Sequence, residues 1–209
     1  MSAEPARAPY WPVPIARAVP AIVVGLVITF SVDHTAFFGL LAFGSFALAT
    51  GAIIAWGSFR LEDRVLRAVA RAQGVASIVA GTAALVFSTT GPGTLFLVVT
   101  AFAAVTGFLE LYLGLRGRGR HPASREWLPV GVMTALLALA VLLVPADYAL
   151  PWSAVDKDVA VSGVLTSQII VVGIVGAYAI LVGVFLVIGG LSARWAAQVQ
   201  PTPVATEGN

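Results

Sequence analysis

Thr106-Gly107-Phe108-Leu109-Glu110-Leu111-Tyr112-Leu113-Gly114-Leu115-Arg116 closes a long apolar segment that begins near Thr94. Glu110 reads as the only carboxylate well inside any apolar segment of the chain. The stretch also ends the clearest copy of a pattern that occurs three times. It is Gly-Ser-Phe-Ala-Leu-Ala-Thr-Gly at 44–51, Thr-Ala-Phe-Ala-Ala-Val-Thr-Gly at 100–107 and Gly-Ala-Tyr-Ala-Ile-Leu-Val-Gly at 176–183. Each copy runs small, small, aromatic, Ala, and then Gly at the eighth position.

Composition names the solvent for these segments. Hydrophobic residues make up 59% of the chain and charged residues 11%, against about 25% charged in a soluble domain. So little polar surface cannot cover a water-facing exterior, which points to a bilayer. There is no cysteine, which excludes disulfides, zinc-thiolate sites and thiol nucleophiles. The first 14 residues, with Pro5, Pro9, Pro12 and Pro14, read as a tail at the membrane surface. The apolar run after them, with Arg7 and Arg17 on its leading side and no small-residue cleavage site, reads as an uncleaved signal-anchor.

A spanning helix needs about 20 mainly apolar residues, and six segments qualify, roughly 15–32, 36–58, 68–89, 94–115, 127–145 and 165–192. The expected fold is an all-α integral membrane protein whose six transmembrane helices form three helical hairpins repeated in parallel. Hairpin units fall at 15–60, 61–116 and 127–195, with a basic loop at 117–126, a long outer loop at 145–163 and tails at 1–14 and 196–209. Eleven of the twelve Lys/Arg lie on one side of this topology; Lys157 is the exception. The positive-inside rule makes that side cytoplasmic and puts both termini there, in a plasma membrane. Trp11, Trp56, Trp127 and Trp195 fall at predicted inner boundaries and Trp152 in the outer loop, and all five read as interfacial anchors.

A shift of 56 residues lays 17–60 on 73–116 without a gap. In the third unit Gly131-x-x-Thr134 takes the place of Gly74-x-x-Ser77. Every unit starts on the same side, unlike the inverted repeats of many alternating-access transporters. Small residues recur at steps of three, four and seven, so Gly25, Gly51, Gly81, Gly107 and Gly183 are expected on packing seams. In lipid, helices associate through close backbone approach, and small residues allow it.

Glu110 lies three residues past Gly107, on that seam, where the sister units carry Ile54 and Leu186. Charge inside a span is costly and faces the bundle interior or a cavity, so Glu110 is the candidate functional residue. Arg116 and Arg71 are the cations expected to pair with it. Arg60, Arg64, Arg67 and Arg71 step by four, three and four as one helical stripe, with Asp63 placed to pair with Arg67. With Arg116, Arg118 and Arg120 they read as contacts for anionic lipid headgroups on the cytoplasmic side. No aromatic residues interleave with these arginines, so no nucleic acid is expected. Asp33-His34 and His121 are isolated, solvated histidine positions, and two distant histidines cannot share a metal. No catalytic set, metal site or cofactor motif is found. The smooth seam leaves Glu110 almost alone among Ser, Thr and Gly, where a transporter would line its path with several polar groups.

Three hairpins, Gly-rich seams, short outer loops, arginines at the inner ends and the Gly-Phe-Leu-Glu ending at 107–110 resemble the HdeD-like membrane proteins over residues 17–195. These are small bacterial inner-membrane proteins built from a short repeat of unknown function. The resemblance implies a stress-related membrane protein, since the founding member is associated with acid resistance. It brings no enzymatic activity, cofactor or catalytic residue. The function expected is therefore non-enzymatic, in acid-stress resistance or as a component of a membrane complex, with a membrane-protein partner or a homo-oligomer open. The alternative is a channel or transporter for a small solute or ion with Glu110 in its path.

Overall fold

The structure, a computed structural model, describes residues 10–121, 123–156 and 159–199, without the side chains of 154–156, 159–161 and 196–199. Arg7, Lys157, most of the N-terminal tail and residues 200–209 lie outside the described residues. Among the described residues, six helices are long and apolar enough to cross a membrane: α1 Pro12–Phe30, α2 Ala36–Gly57, α3 Arg64–Val86, α4 Pro92–Gly117, α5 Ser124–Leu142 and α6 Ser167–Val199. The protein is a multi-pass, helical membrane-type bundle, as its composition requires.

Helix ends depart from expectation where local chemistry intervenes. α1 starts at Pro12, inside the predicted tail, because prolines are tolerated in a first turn that has no amide acceptors to meet. Pro20 therefore lies well inside α1. The predicted arginine stripe does not sit on one helix. α2 tightens into a 3-10 turn at Ser58–Arg60, and α3 begins only after Asp63, whose carboxylate accepts from the amides of Val65 and Leu66 at 2.7 and 3.1 Å. Those bonds hold the Asp63 carboxyl below its ordinary range. Arg67 donates instead to the carbonyls of Leu61 and Glu62. Gly91 enters α4 at φ 104°, a conformation that side chains disfavour.

The long outer loop is a correction of kind. Strands β1 (Ala149–Asp156) and β2 (Val159–Thr166) pair antiparallel, with Trp152 opposite Gly163. Val159, Val161, Val164 and Thr166 favour extended backbone. Both strands are edges, so Pro151 is accommodated. The Ser167 amide and hydroxyl donate to the carbonyls of Tyr148 and Ala146, tying the hairpin to the start of α6.

Packing around the ring follows chain order and closes on itself, with α6 against α1. The broadest interfaces join neighbouring hairpins: α2 with α3, α4 with α5, and α6 with α1. Contacts within each hairpin are thinner, and α2, α4 and α6 also meet one another across the centre. The arrangement is a pseudo-threefold ring. Glycines occupy the three broad interfaces. A Cβ on Gly51 would stand 2.8 Å from the Gly74 carbonyl, and one on Gly81 2.7 Å from the Leu48 amide. One on Gly107 would stand 2.9 Å from the Ala135 amide. On Gly25 and Gly183 it would stand 3.0 and 3.1 Å from the Ile180 and Ile22 amides. Outside the ring, Val23, Val79, Phe108 and Leu181 are exposed, as lipid-facing residues should be.

Candidate functional site

The repeat stacks equivalent residues in layers along the pseudo-threefold axis. Phe46, Phe102 and Tyr178 form an aromatic layer, with Phe46 6.3 Å from each of the other two rings. One turn toward the arginine-rich end stand Thr50, Thr106 and Val182, and a turn further Ile54, Glu110 and Leu186. The first helices of the units contribute Ala21, Ser77 and Thr134, then Arg17, Gln73 and Val130, all buried. Symmetry in the sequence has thus placed one position of each unit against the same small volume. Two layers break chemically, and the breaks face each other.

Glu110 is 2% exposed, and its partner is Arg17. Arg17 Nη1 donates to Oε1 at 2.7 Å and Nη2 to Oε2 at 3.3 Å, a two-pronged contact between α1 and α4. Gln73 Nε2 donates to Oε2 at 3.0 Å from α3. Arg17 and Gln73 are equivalent residues of the first and second units, so two copies of one repeat position converge on a carboxylate of the second. The expected cations, Arg116 and Arg71, are not the partners. Arg71 instead donates to Ser58 Oγ at 3.4 Å and lies 4.8 Å from the Phe59 ring centre. Sequence spacing favoured arginines near Glu110 on the same or the next helix. α1 reaches α4 only because the ring places the two on either side of the centre. Arg17 is itself 5% exposed, not a topology-setting charge in water.

Glu110 is also not alone. A cavity of about 10 Å³ on the axis is lined by at least one polar side chain from every helix. They are Arg17, Thr50, Gln73 with Ser77, Thr106 with Glu110, Thr134 and Tyr178. That volume is at the lower limit for a single water. Thr134 and Tyr178 share a 2.9 Å hydrogen bond between α5 and α6. Tyr178 reads as an aromatic of the repeat in sequence, and Thr134 as a small seam residue, so only convergence identifies them. Apolar side chains make up the rest of the interior. Leu40, Phe43, Leu95 and Val99 lie in the main core, and Leu61, Leu66, Leu113 and Trp127 form a second cluster at the arginine-rich end.

A second buried carboxylate escaped the sequence reading. Glu126 is 7% exposed, in the first turn of α5. The predicted helix began at 127, which left Glu126 in the basic loop. Trp127 is not an interfacial anchor: it is 2% exposed, stacked on His121 at 5.2 Å, and its indole N–H donates to the Tyr10 hydroxyl at 3.3 Å. His121 is accordingly not freely solvated; its Nδ1 accepts from the Ala123 amide, and burial lowers its affinity for a proton. Burial, and then Glu126, hold the Tyr10 phenol well above its ordinary range. Asp33 accepts from the Thr35 amide at 2.8 Å, which depresses its carboxyl, and His34 beside it lines no part of the axial cavity.

The lipid-contact candidates gather at the end that holds the N-terminus of α1. Arg60 lies over the Trp56 ring at 4.2 Å and Arg194 over Trp11 at 5.3 Å, arrangements suited to a membrane interface. Arg64, Arg116, Arg118 and Arg120 flank the same turns of α3 and α4. Among the described residues, no three His, Asp or Glu side chains group as a metal site.

A family model described as a short repeat of unknown function (DUF308) matches residues 72–143. HdeD-like proteins belong to that family. The matched stretch runs from α3 to the end of α5 and includes Gln73, Ser77, Thr106, Glu110, Glu126 and Thr134. Arg17 and Tyr178 lie outside it. No curated protein and no solved structure matches the chain.

Proposed function

We propose that the protein is a non-enzymatic, multi-pass protein of the bacterial plasma membrane, of HdeD-like type, with both termini cytoplasmic, that acts in acid-stress resistance. The observation that carries this reading is the Arg17–Glu110–Gln73 centre, which ties α1, α3 and α4 together through one carboxylate. A proton on Glu110 removes the charge that holds Arg17 and leaves a guanidinium unpaired inside the bundle. Breaking a buried pair in this way costs about 3–5 kcal/mol. The pair stabilises the bundle only while both groups keep their charges. Packing between the first two hairpins is then the part that answers to acid. Anionic headgroups bound by Arg60, Arg64, Arg67, Arg71, Arg116, Arg118 and Arg120 would hold the arginine-rich end at the inner leaflet.

The test is acid survival of a deletion strain of the native host, complemented with the wild type or with Glu110→Gln. The wild type should restore survival, and Glu110→Gln, present in the membrane at equal level, should not. Full rescue by Glu110→Gln would sink the proposal.

The channel or transporter reading gains one observation, the polar side chain that each helix brings to the axial cavity. Its volume of about 10 Å³ favours a proton-sized guest over a solute. Proteoliposomes with a trapped pH indicator separate the two readings: acidification of the lumen that depends on Glu110 would favour conduction.

A further inference from the structure

Two buried side-chain atoms, one a donor and one an acceptor, have no hydrogen-bond partner among the described residues. Arg17 Nε is a donor without an acceptor, and Glu126 Oε1 is an acceptor without a donor. A buried polar atom without a partner is costly. Glu126 lies within electrostatic reach of both Arg17 and Glu110. From the segment before α1, the Tyr10 phenol is coupled to the same charges. From α6, Gly189 comes so close that a Cβ there would stand 3.8 Å from Glu126 Cγ. Around Glu110 the remaining polar groups are the hydrogen-bonding side chains of Thr50, Gln73, Ser77, Thr106, Thr134 and Tyr178.

The charge count then constrains the cluster. Two carboxylates and one guanidinium would leave a net negative charge in a membrane interior, and a buried charge without a counter-ion neutralises itself by taking a proton. Arg17 is engaged by Glu110. We propose that Glu126 is a second functional carboxylate, which holds an exchangeable proton and shares the Arg17 guanidinium with Glu110. In one arrangement of this proposal Arg17 pairs with the Glu110 carboxylate, the contact seen in the structure, and Glu126 carries the proton. In the alternative, the O–H bond of Glu126 breaks and one forms on Glu110, and Arg17 turns its free Nε edge to the Glu126 carboxylate. One proton moves, and the net charge of the three groups is zero before and after. The ligand of the site is a proton. Its position near the arginine-rich end, in the first turn of α5, makes Glu126 the carboxylate nearer the water on that side.

This inference deepens the acid-response reading and rests on the same centre. Its test reads protonation directly, so it can fail while the survival result stands, and the reverse. Infrared spectra of the reconstituted protein at neutral pH should show a buried carboxylic-acid C=O band. The band should vanish in Glu126→Gln, which removes the acid. It should vanish also in Glu110→Gln, because Arg17 is then free to take Glu126 as its counter-ion. In Arg17→Met it should grow to roughly double, with both carboxyls neutral. No acid band in the wild type would overturn the proposal. So would a band that survives in Glu110→Gln, since Glu126 would then be neutral without any sharing. Retention in Glu126→Gln with loss in Glu110→Gln would place the proton on Glu110 and overturn it as well.

Discussion

Glu110 replaces an aliphatic residue that the sister units keep as Ile54 and Leu186, so a first expectation is that Glu110→Leu is tolerated. The pairing with Arg17 reverses it. Leucine at 110 would remove the anion to which Arg17, 5% exposed, is bonded, and leave it only Glu126, to which it makes no hydrogen bond. The expected destabilisation is up to about 3–5 kcal/mol, the cost of breaking a buried pair from one side. Arg17→Met together with Glu110→Leu should recover most of it, because replacing both charges by apolar groups of similar size is often neutral. Thermal unfolding in detergent for the two single variants and the double variant measures this cycle. Additive losses would mean that the two residues act separately.

At the scale of the helices, the seams carry the association that the hydrophobic effect cannot supply in lipid. Gly107 and Gly173 make a contrasting pair. A Cβ on Gly107 would press on the Ala135 amide and Cα at 2.9 and 3.3 Å, whereas one on Gly173 would meet nothing within 4 Å. Gly107→Leu should cost at least about 1–3 kcal/mol through overpacking. Gly173→Ala should be neutral, or stabilising by up to about 1 kcal/mol from helix propensity. Detergent thermostability checks both; an unchanged midpoint for Gly107→Leu would mean that α4 and α5 separate at no cost. The glycine spacing was legible in the sequence as a face on each helix. Which helix each face meets was not. The sequence unit is the hairpin, yet the tight contacts run between hairpins, because each seam needs an antiparallel neighbour with its own small residues, and the ring supplies that neighbour from the next unit.

For the whole molecule, the repeat explains both the symmetry and its breaking. Three similar hairpins close into a ring, so equivalent positions meet at the axis, where single departures from the pattern concentrate: Arg17, Gln73, Glu110 and Tyr178. The orientation of that ring in the membrane is open to a direct measurement, since the chain has no cysteine of its own. Thr89→Cys, beyond the end of α3, should react with an impermeant thiol reagent added outside intact cells. Arg64→Cys and Arg118→Cys, at the arginine-rich end, should react only after lysis. Outside labelling of Arg118→Cys would invert the topology.

Composition and period alone determined six apolar helices in three repeated hairpins and picked out Glu110, because both depend on residues close in sequence. They could not determine the partner of Glu110, the burial of Glu126 and Trp127, or the β-hairpin at 149–166. Arg17 and Glu110 are 93 residues apart, and no local rule couples them. Arg17 resembles any arginine at an inner boundary until the ring turns α1 toward α4. Glu126 reads as a loop residue until α5 starts three residues early. Tertiary structure decides these points for one physical reason: inside the bundle, a charge is compensated by whichever group the packing brings into reach, and its position in the sequence plays no part.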